Sequence, residues 1–308
     1  MKLEPLELEG FLNLLKPPGM TSHDVVAKAR RLLKEKRIGH LGTLDPDAAG
    51  VLPIAVGQAT RLVELVGGVN KAYRAQLRLG ATTDSQDASG RIVDIRAVPR
   101  VSLDEWEKTL QMFRGEIWQI PPMVSAVSVG GKRLYEYARQ GIEVERSARP
   151  VSISRIGIVN YDPARPEEII LDVECSAGTY IRTLCHDIGQ RLGCGAHMGW
   201  LIRTRSGRFS LRESVAMETL AEGLPREHLV SPYEALAHLP ALEIGENRLS
   251  ALSQGLAQYL RGDGWSEGQW IRMHRQQKLL AVGQAFQKDG QWLCQPRKVF
   301  NRLETRSK

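Results

Sequence analysis

The chain has 308 residues, 42% hydrophobic and 25% charged, close to the soluble globular average, which excludes a wholly disordered, collagen-like or disulfide-framework protein. Its length predicts two domains, or one large domain with an appendage, and roughly three quarters of the unfolded surface buried without staples. Forty-two Lys+Arg against thirty-five Asp+Glu leave a net charge of +7, which favours a polyanionic partner without specifying one.

In chain order, residues 11–15 are mostly apolar and end at Lys16-Pro17-Pro18-Gly19, which forces a turn. Thr21 to Asp24 reads as a capping box opening a helix, with Val25, Ala29, Leu32 and Leu33 as its buried stripe. Lys28, Arg30, Arg31, Lys34 and Lys36 occupy its other faces, either as a solvated surface or as phosphate contacts. Residues 39–50 carry three glycines, a proline and two acids with little periodicity, and read as a loop. An apolar segment over 51–56 follows. Tyr73, Ala75, Leu77 and Leu79 then alternate with Arg74, Gln76 and Arg78, as in a strand.

Ile169, Leu171, Val173 and Cys175 repeat that period, and after Gly178 a helix is predicted over 179–192 with Ile181, Leu184, Ile188 and Leu192 on one face. Strands and helices mix without βαβ alternation, so an α+β fold is expected. Pro225 and Pro232 begin a less patterned region, and Leu239-Pro240 looks like a boundary. Residues 270–273 and 279–282, with the turn Asp289-Gly290, suggest a small β-rich module beyond it. From residue 241 onward there are 11 basic and 6 acidic residues, net +5, leaving only +2 for the larger part.

No apolar run approaches the ~20 residues of a membrane helix, and Met1-Lys2-Leu3-Glu4-Pro5 lacks the shape of a signal peptide. Cys175, Cys185, Cys194 and Cys294 form no C-x-x-C pair and read as reduced thiols, so a cytoplasmic location is expected. There is no P-loop. Gly193-Cys194-Gly195-Ala196-His197-Met198-Gly199 fails the dinucleotide spacing and follows a helix rather than a strand. Cys185-His186 and Cys194-x-x-His197 are potential zinc ligands, but Cys185 falls near its helix's apolar stripe, and no metal is expected.

Asp45 and Asp47 admit two readings: turn chemistry, or, for Asp45 between Leu44 and Pro46, a carboxylate tuned by a cation for nucleophilic work. Arg182 could be that cation or a surface arginine. Tyr73 by default is a core tyrosine, and His40 a loop histidine.

These pieces, in this order, resemble the TruB family of pseudouridine synthases. The block Gly39-His40-Leu41-Gly42-Thr43-Leu44-Asp45-Pro46-Asp47-Ala48-Ala49-Gly50-Val51-Leu52-Pro53 is similar to that family's signature. The likeness extends through Lys16-Pro17-Pro18-Gly19-Met20-Thr21-Ser22, Lys71-Ala72-Tyr73, Thr83-Asp84, Pro121-Pro122-Met123-Val124-Ser125-Ala126 and Cys175-Ser176-Ala177-Gly178-Thr179-Tyr180-Ile181-Arg182. It covers about residues 11–211 and is much weaker beyond 240.

The resemblance implies a pseudouridine synthase catalytic fold with a mixed or antiparallel sheet over residues 1–239, and a PUA-like RNA-binding module over 240–308. It implies uridine-to-pseudouridine isomerisation at position 55 of the tRNA T-loop, without metal or cofactor, by a cytoplasmic monomer. Asp45 takes the catalytic position, Tyr73 stacks on the base, and Arg182 pairs with Asp45. Tyr180 shares the pocket, Leu201 lies beside the base, and His40 contacts the T-loop. A non-catalytic RNA-binding protein would not need Asp45, Tyr73 and Arg182 together. A hydrolase using Asp45 and Asp47 as a pair is disfavoured by their spacing across a proline.

Overall fold

The computed structural model describes residues 9–125, 127–223 and 226–300; the chain start, Ala126 and Pro225 lie outside the described residues. A large mixed sheet is built from β1 (Gly10–Lys16), β2 (Ile38–His40), β3 (Ala49–Val56) and β4 (Lys71–Leu79). A hairpin of β5 (Ala81–Thr83) and β6 (Ile92–Ile95) stands apart. Next come β7 (Gly115–Gln119) and a short hairpin of β8 (Ser128–Val129) and β9 (Lys132–Arg133). The large sheet resumes with β10 (Arg149–Tyr161), β11 (Glu168–Cys175), β12 (Ala196–Ser206), β13 (Phe209–Ser210) and β14 (Leu229–Val230).

Its order is β14-β1-β3-β12-β4-β11-β10-β7, with β2 on β3 and β13 on β12. Every pair is antiparallel except β3 with β12, where Ala49 and Gly50 face Ile202 and Arg203. A second sheet holds β15 (Ala241–Glu243), β16 (Gln258–Tyr259), β17 (Trp270–Arg275), β18 (Lys278–Lys288) and β19 (Gln291–Val299), in the order β15-β17-β18-β19-β16. The expected α+β architecture is observed.

The first helix, α1 (Ser22–Leu33), opens with the expected capping box: Thr21 accepts from the Asp24 amide and Asp24 accepts from the Thr21 amide. Its Val25 and Ala29 pack with Leu12, Leu14, Leu52 and Ile54 of β1 and β3. The alternate residues of those strands, Phe11, Val51 and Ala55, pack with Leu279, Val282 and Phe300 from the C-terminal part. Covered on both faces, β3 reads as a continuous apolar run rather than an alternating one. The C-terminal sheet therefore shares a core with the large one, besides having its own around Ile271, Met273 and Cys294.

Two further helices cover the β4–β11 half. The helix α2 (Val63–Gly67) leads into β4, and α3 (Leu103–Gln111) brings Trp106 and Leu110 onto that half. After α4 (Leu134–Arg139), α5 (Ile181–Arg191) brings Ile181, Leu184, Cys185 and Ile188 to the same core, under Ala75, Leu77, Leu171 and Val173. The strand period expected for 72–79 and 169–175 is thus observed.

Two expectations need correction at their edges. The loop predicted over 39–50 is shorter, because Gly39 and His40 end β2 and Ala49 and Gly50 begin β3, each drawn into strand pairing. The helix predicted over 179–192 starts two residues later: Tyr180 is its extended N-cap, held by the side chain of Gln119 through both its amide (2.9 Å) and its carbonyl (3.2 Å).

Candidate active site

The loop over residues 41–48 joins β2 to β3 and carries Asp45. Its backbone is fastened from three directions. Ser22, at the start of α1, accepts from the Leu44 amide at 2.9 Å and donates to the Leu44 carbonyl at 3.2 Å. The Lys16 ammonium, fully buried at the end of β1, donates to the carbonyls of Pro46 (2.7 Å), Ala48 (2.6 Å) and Pro17 (2.9 Å). Arg203 on β12, 1% exposed, donates from Nε to Val51 (2.7 Å) and from its two Nη atoms to Thr43 (3.3 Å) and Gly42 (3.1 Å).

Gly50 permits this close approach. Its φ is +109°, and a Cβ there would lie 2.3 Å from the Arg203 carbonyl oxygen, so any side chain would force β3 and β12 apart. The Asp45 backbone carbonyl accepts from the Ala48 amide at 3.1 Å, a turn that leaves its side chain free to meet a cation.

The carboxylate meets Arg182 in a two-point contact, Oδ2 to Nε at 2.9 Å and Oδ1 to Nη2 at 3.1 Å. Arg182 is the second residue of α5 and its side chain is 5% exposed, so it is no surface arginine. It is held by the carbonyls of Val124 (2.8 Å) and Ser85 (3.3 Å), and Asp87 lies 3.6 Å from its Nη1. This geometry is the bidentate fork that only arginine offers a carboxylate. Burial pushes the Asp45 carboxyl above its ordinary value; Arg182 opposes this and Asp87 adds to it.

Asp45 and Arg182 border a cavity of about 260 Å³ whose wall also includes Tyr73, Tyr180 and Leu201. Tyr73 on β4 stands directly across from Arg203 on β12. Burial pushes its phenol upward, and the Arg203 guanidinium beside it pulls the other way. A second cavity of about 370 Å³, reaching Asp87 and Trp200, touches the first at Asp45, Arg182 and Leu201. Between the two, β12 loses register with β4 from Met198 to Leu201 and again from Arg203 to Arg205. Such irregularities re-aim side chains next to functional sites.

Five of the six expected site residues therefore meet: Asp45, Tyr73, Tyr180, Arg182 and Leu201. His40 does not line the cavity. It sits on β2 in an edge-to-face contact with His23, ring centres 5.3 Å apart, with its pKa lowered by burial first and by His23 second. Asp47 is exposed beside the second cavity and makes no pair with Asp45.

Lys16, Ser22, Lys71, Asp87 and Arg203 have no role assigned from the sequence. Arg203 carried a legible signal: it falls in phase with Leu201, at an inward position of β12 where an apolar residue belongs. Cys185 is fully buried in the core and Cys194 nearly so, and burial pushes the Cys185 thiol up to about 12, which disfavours a thiolate ligand.

Comparison with known proteins gives the chain's family. Residues 30–181 match the model of the TruB family pseudouridylate synthase N-terminal domain, and residues 182–238 that of the tRNA pseudouridylate synthase B C-terminal domain. The chain belongs to the TruB family of pseudouridine synthases, enzymes of the isomerase class. A curated relative in Heliobacterium modesticaldum, tRNA pseudouridine synthase B, is 85% identical over 306 residues, covering 99% of this chain and all of the relative. Its namesake in Heliobacterium mobile is 67% identical over 98% of this chain and 99% of its own. Among solved structures, a chain of an H/ACA RNP bound to a substrate RNA containing 2′-deoxyuridine superposes with a TM-score of 0.74 at 27% identity, covering 97% of this chain and 87% of that one. An archaeal box H/ACA sRNP Nop10–Cbf5 complex gives 0.73 at 28% identity, covering 98% and 90%. Among the described residues no helix is long and apolar enough to cross a membrane.

Proposed function

We propose that this chain converts uridine to pseudouridine at position 55 of the tRNA T-loop, with Asp45 as the catalytic group. The observation that carries this reading is the Asp45–Arg182 pair at the edge of a cavity walled by Tyr73, Tyr180 and Leu201. The names of its relatives support tRNA as the substrate.

The target base leaves the loop's stack at a cost of a few kcal/mol, and the Tyr73 ring returns about 1–3 kcal/mol by stacking. Leu201 closes on the base and Tyr180 completes the wall. Asp45 acts in its ionised form, on the sugar, the base or a ribose proton. Arg182 keeps that form charged and aimed once RNA excludes water, where an unpaired carboxylate is very costly. His40, outside the cavity, contacts the T-loop around it.

The reaction rearranges one nucleoside and requires neither metal nor cofactor. Residues 1–239 form the catalytic unit and 240–308 the PUA-like RNA-binding module, which holds net +5 of the charge. One chain supplies every group named, and we read it as a monomer of the cytoplasm, with its four cysteines reduced. An unmodified T-arm stem-loop should suffice as substrate; if the protein leaves its uridines unchanged yet modifies another stem-loop of tRNA, the assignment to position 55 fails.

A further inference from the structure

Besides Arg182, two buried cations line the first cavity: Lys71, 8% exposed, at the start of β4, and Arg203. Lys71 Nζ and Arg203 Nη1 lie 3.9 and 3.8 Å from the point that a Cβ on Gly42 would occupy. No carboxylate acts on either among the described residues. Their hydrogen bonding differs. Arg203 is engaged by three backbone carbonyls and by the Tyr73 hydroxyl. Lys71 hydrogen-bonds only the Gly67 carbonyl, at 3.5 Å, so most of its donor capacity has no hydrogen-bond acceptor among the described residues. Burial and Arg203 pull its pKa down, and the buried Cys175 thiol acts weakly against them. A buried ammonium left so poorly satisfied is costly. Ser125, 6% exposed in the same cavity wall, also has a hydroxyl with no partner among the described residues. Both observations point to a ligand with acceptor oxygens.

Lys71 is two residues from Tyr73 on one strand, so both project from the same face, and both line the cavity. We propose that Lys71 is a catalytic residue that binds a uracil carbonyl oxygen and stabilises the uracil anion formed when the C1′–N1 bond breaks. This rests on the isomerisation proposed above. In that step both bonding electrons pass to N1 and spread over O2 and O4. The electron-poor C1′ is met by Asp45, either through a new C1′–O bond or by loss of the C2′ proton to the carboxylate. The base anion then turns, C5 bonds to C1′, Asp45 is released (or returns the proton to C2′), and C5 gives up its hydrogen as N1 gains one. Nothing else is consumed. Negative charge on the base exists only between substrate and product, so a fixed cation there favours the transition state over the ground state.

The test uses the full chain in single-turnover rearrangement of a T-arm RNA with either uridine or 5-fluorouridine at the target. Fluorine stabilises the base anion by itself, so this substrate needs less help. Lys71→Met should slow the uridine reaction by about 100- to 1000-fold with RNA affinity unchanged, and slow the 5-fluorouridine reaction at least about tenfold less. Lys71→Arg should restore most of the loss. Equal losses on both bases, no loss, or weakened RNA binding with a normal rate at saturation would overturn the proposal, the last marking a phosphate contact. Should Lys71→Met unfold, the same ratio read on Lys71→Gln against Lys71→Arg decides. A wild-type protein that forms no pseudouridine in either RNA would sink the function reading instead.

Discussion

The large sheet and the small C-terminal one handle charge in opposite ways. Around the large sheet, Lys16, Lys71, Arg182 and Arg203 are all buried. In the described part beyond residue 240 the one polar side chain classed as buried is Gln258, while Arg261, Lys278, Lys288 and Arg297 are exposed. Burying a cation costs free energy unless carbonyls or a carboxylate satisfy it, so four in one region mark a place where charge has a task. Exposed cations cost little and serve long-range attraction of a polyanion. The net +2 of the larger part thus understates its chemistry, and the +5 of the tail overstates it.

Breaking the buried side of this contrast should have the largest effects. Asp45→Asn should abolish pseudouridine formation while leaving RNA affinity intact, as read by product mapping and a binding titration. Arg182→Leu leaves Asp45 and Asp87 facing each other without their shared cation. Removing one partner of a buried pair costs about 3–5 kcal/mol, less here because the Asp45 side chain is still 38% exposed. The variant should fold, melt lower, and lose most activity; wild-type kinetics would refute the ion-pair role.

Asp87→Asn sharpens the comparison through pH. Asp45 has its pKa raised, chiefly by burial, with Asp87 adding to the rise. Its ionised form is therefore lost at a higher pH than for a free aspartate, and the acid limb of kcat/KM should lie above 3.8. Removing the Asp87 charge should move that limb to lower pH; a limb that stays put would show that Asp87 does not act on Asp45. Lys16→Gln withdraws donors from the Pro46 and Ala48 carbonyls, and each buried acceptor left unpaired costs about 1–3 kcal/mol, visible as a lower Tm.

The exposed side should give the smallest effect. Deleting residues 241–308 would strip Leu279, Val282 and Phe300 from a core shared with Phe11 and Val51, so charge substitution is the cleaner probe. Lys278→Gln and Lys288→Gln should each weaken RNA binding evenly and lower the salt slope by about one, with the catalytic rate at saturation unchanged.

Much of this was legible in the sequence because local physics dominates there. The Thr21–Asp24 capping box and the alternation over 72–79 and 169–175 depend on neighbours a few residues away. Asp45, Tyr73 and Arg182 were legible through the order of motif blocks rather than periodicity, which favours a core reading for Tyr73 and leaves Arg182 open between a surface arginine and a partner for Asp45. What stayed hidden depends on contacts far along the chain. Arg203 reaches residues 42, 43 and 51, Lys16 reaches 46 and 48, and the C-terminal sheet joins the core of β1 and β3. Nothing local in Leu279 or Phe300 says which surface it will cover.

The most direct test is to incubate an unmodified tRNA transcript with the wild-type protein and with Asp45→Asn, then map pseudouridine along the RNA. One modified site, position 55 of the T-loop, is expected with the wild type and none with the variant; modification elsewhere, or at position 55 by the variant, would refute the role of Asp45 at that site.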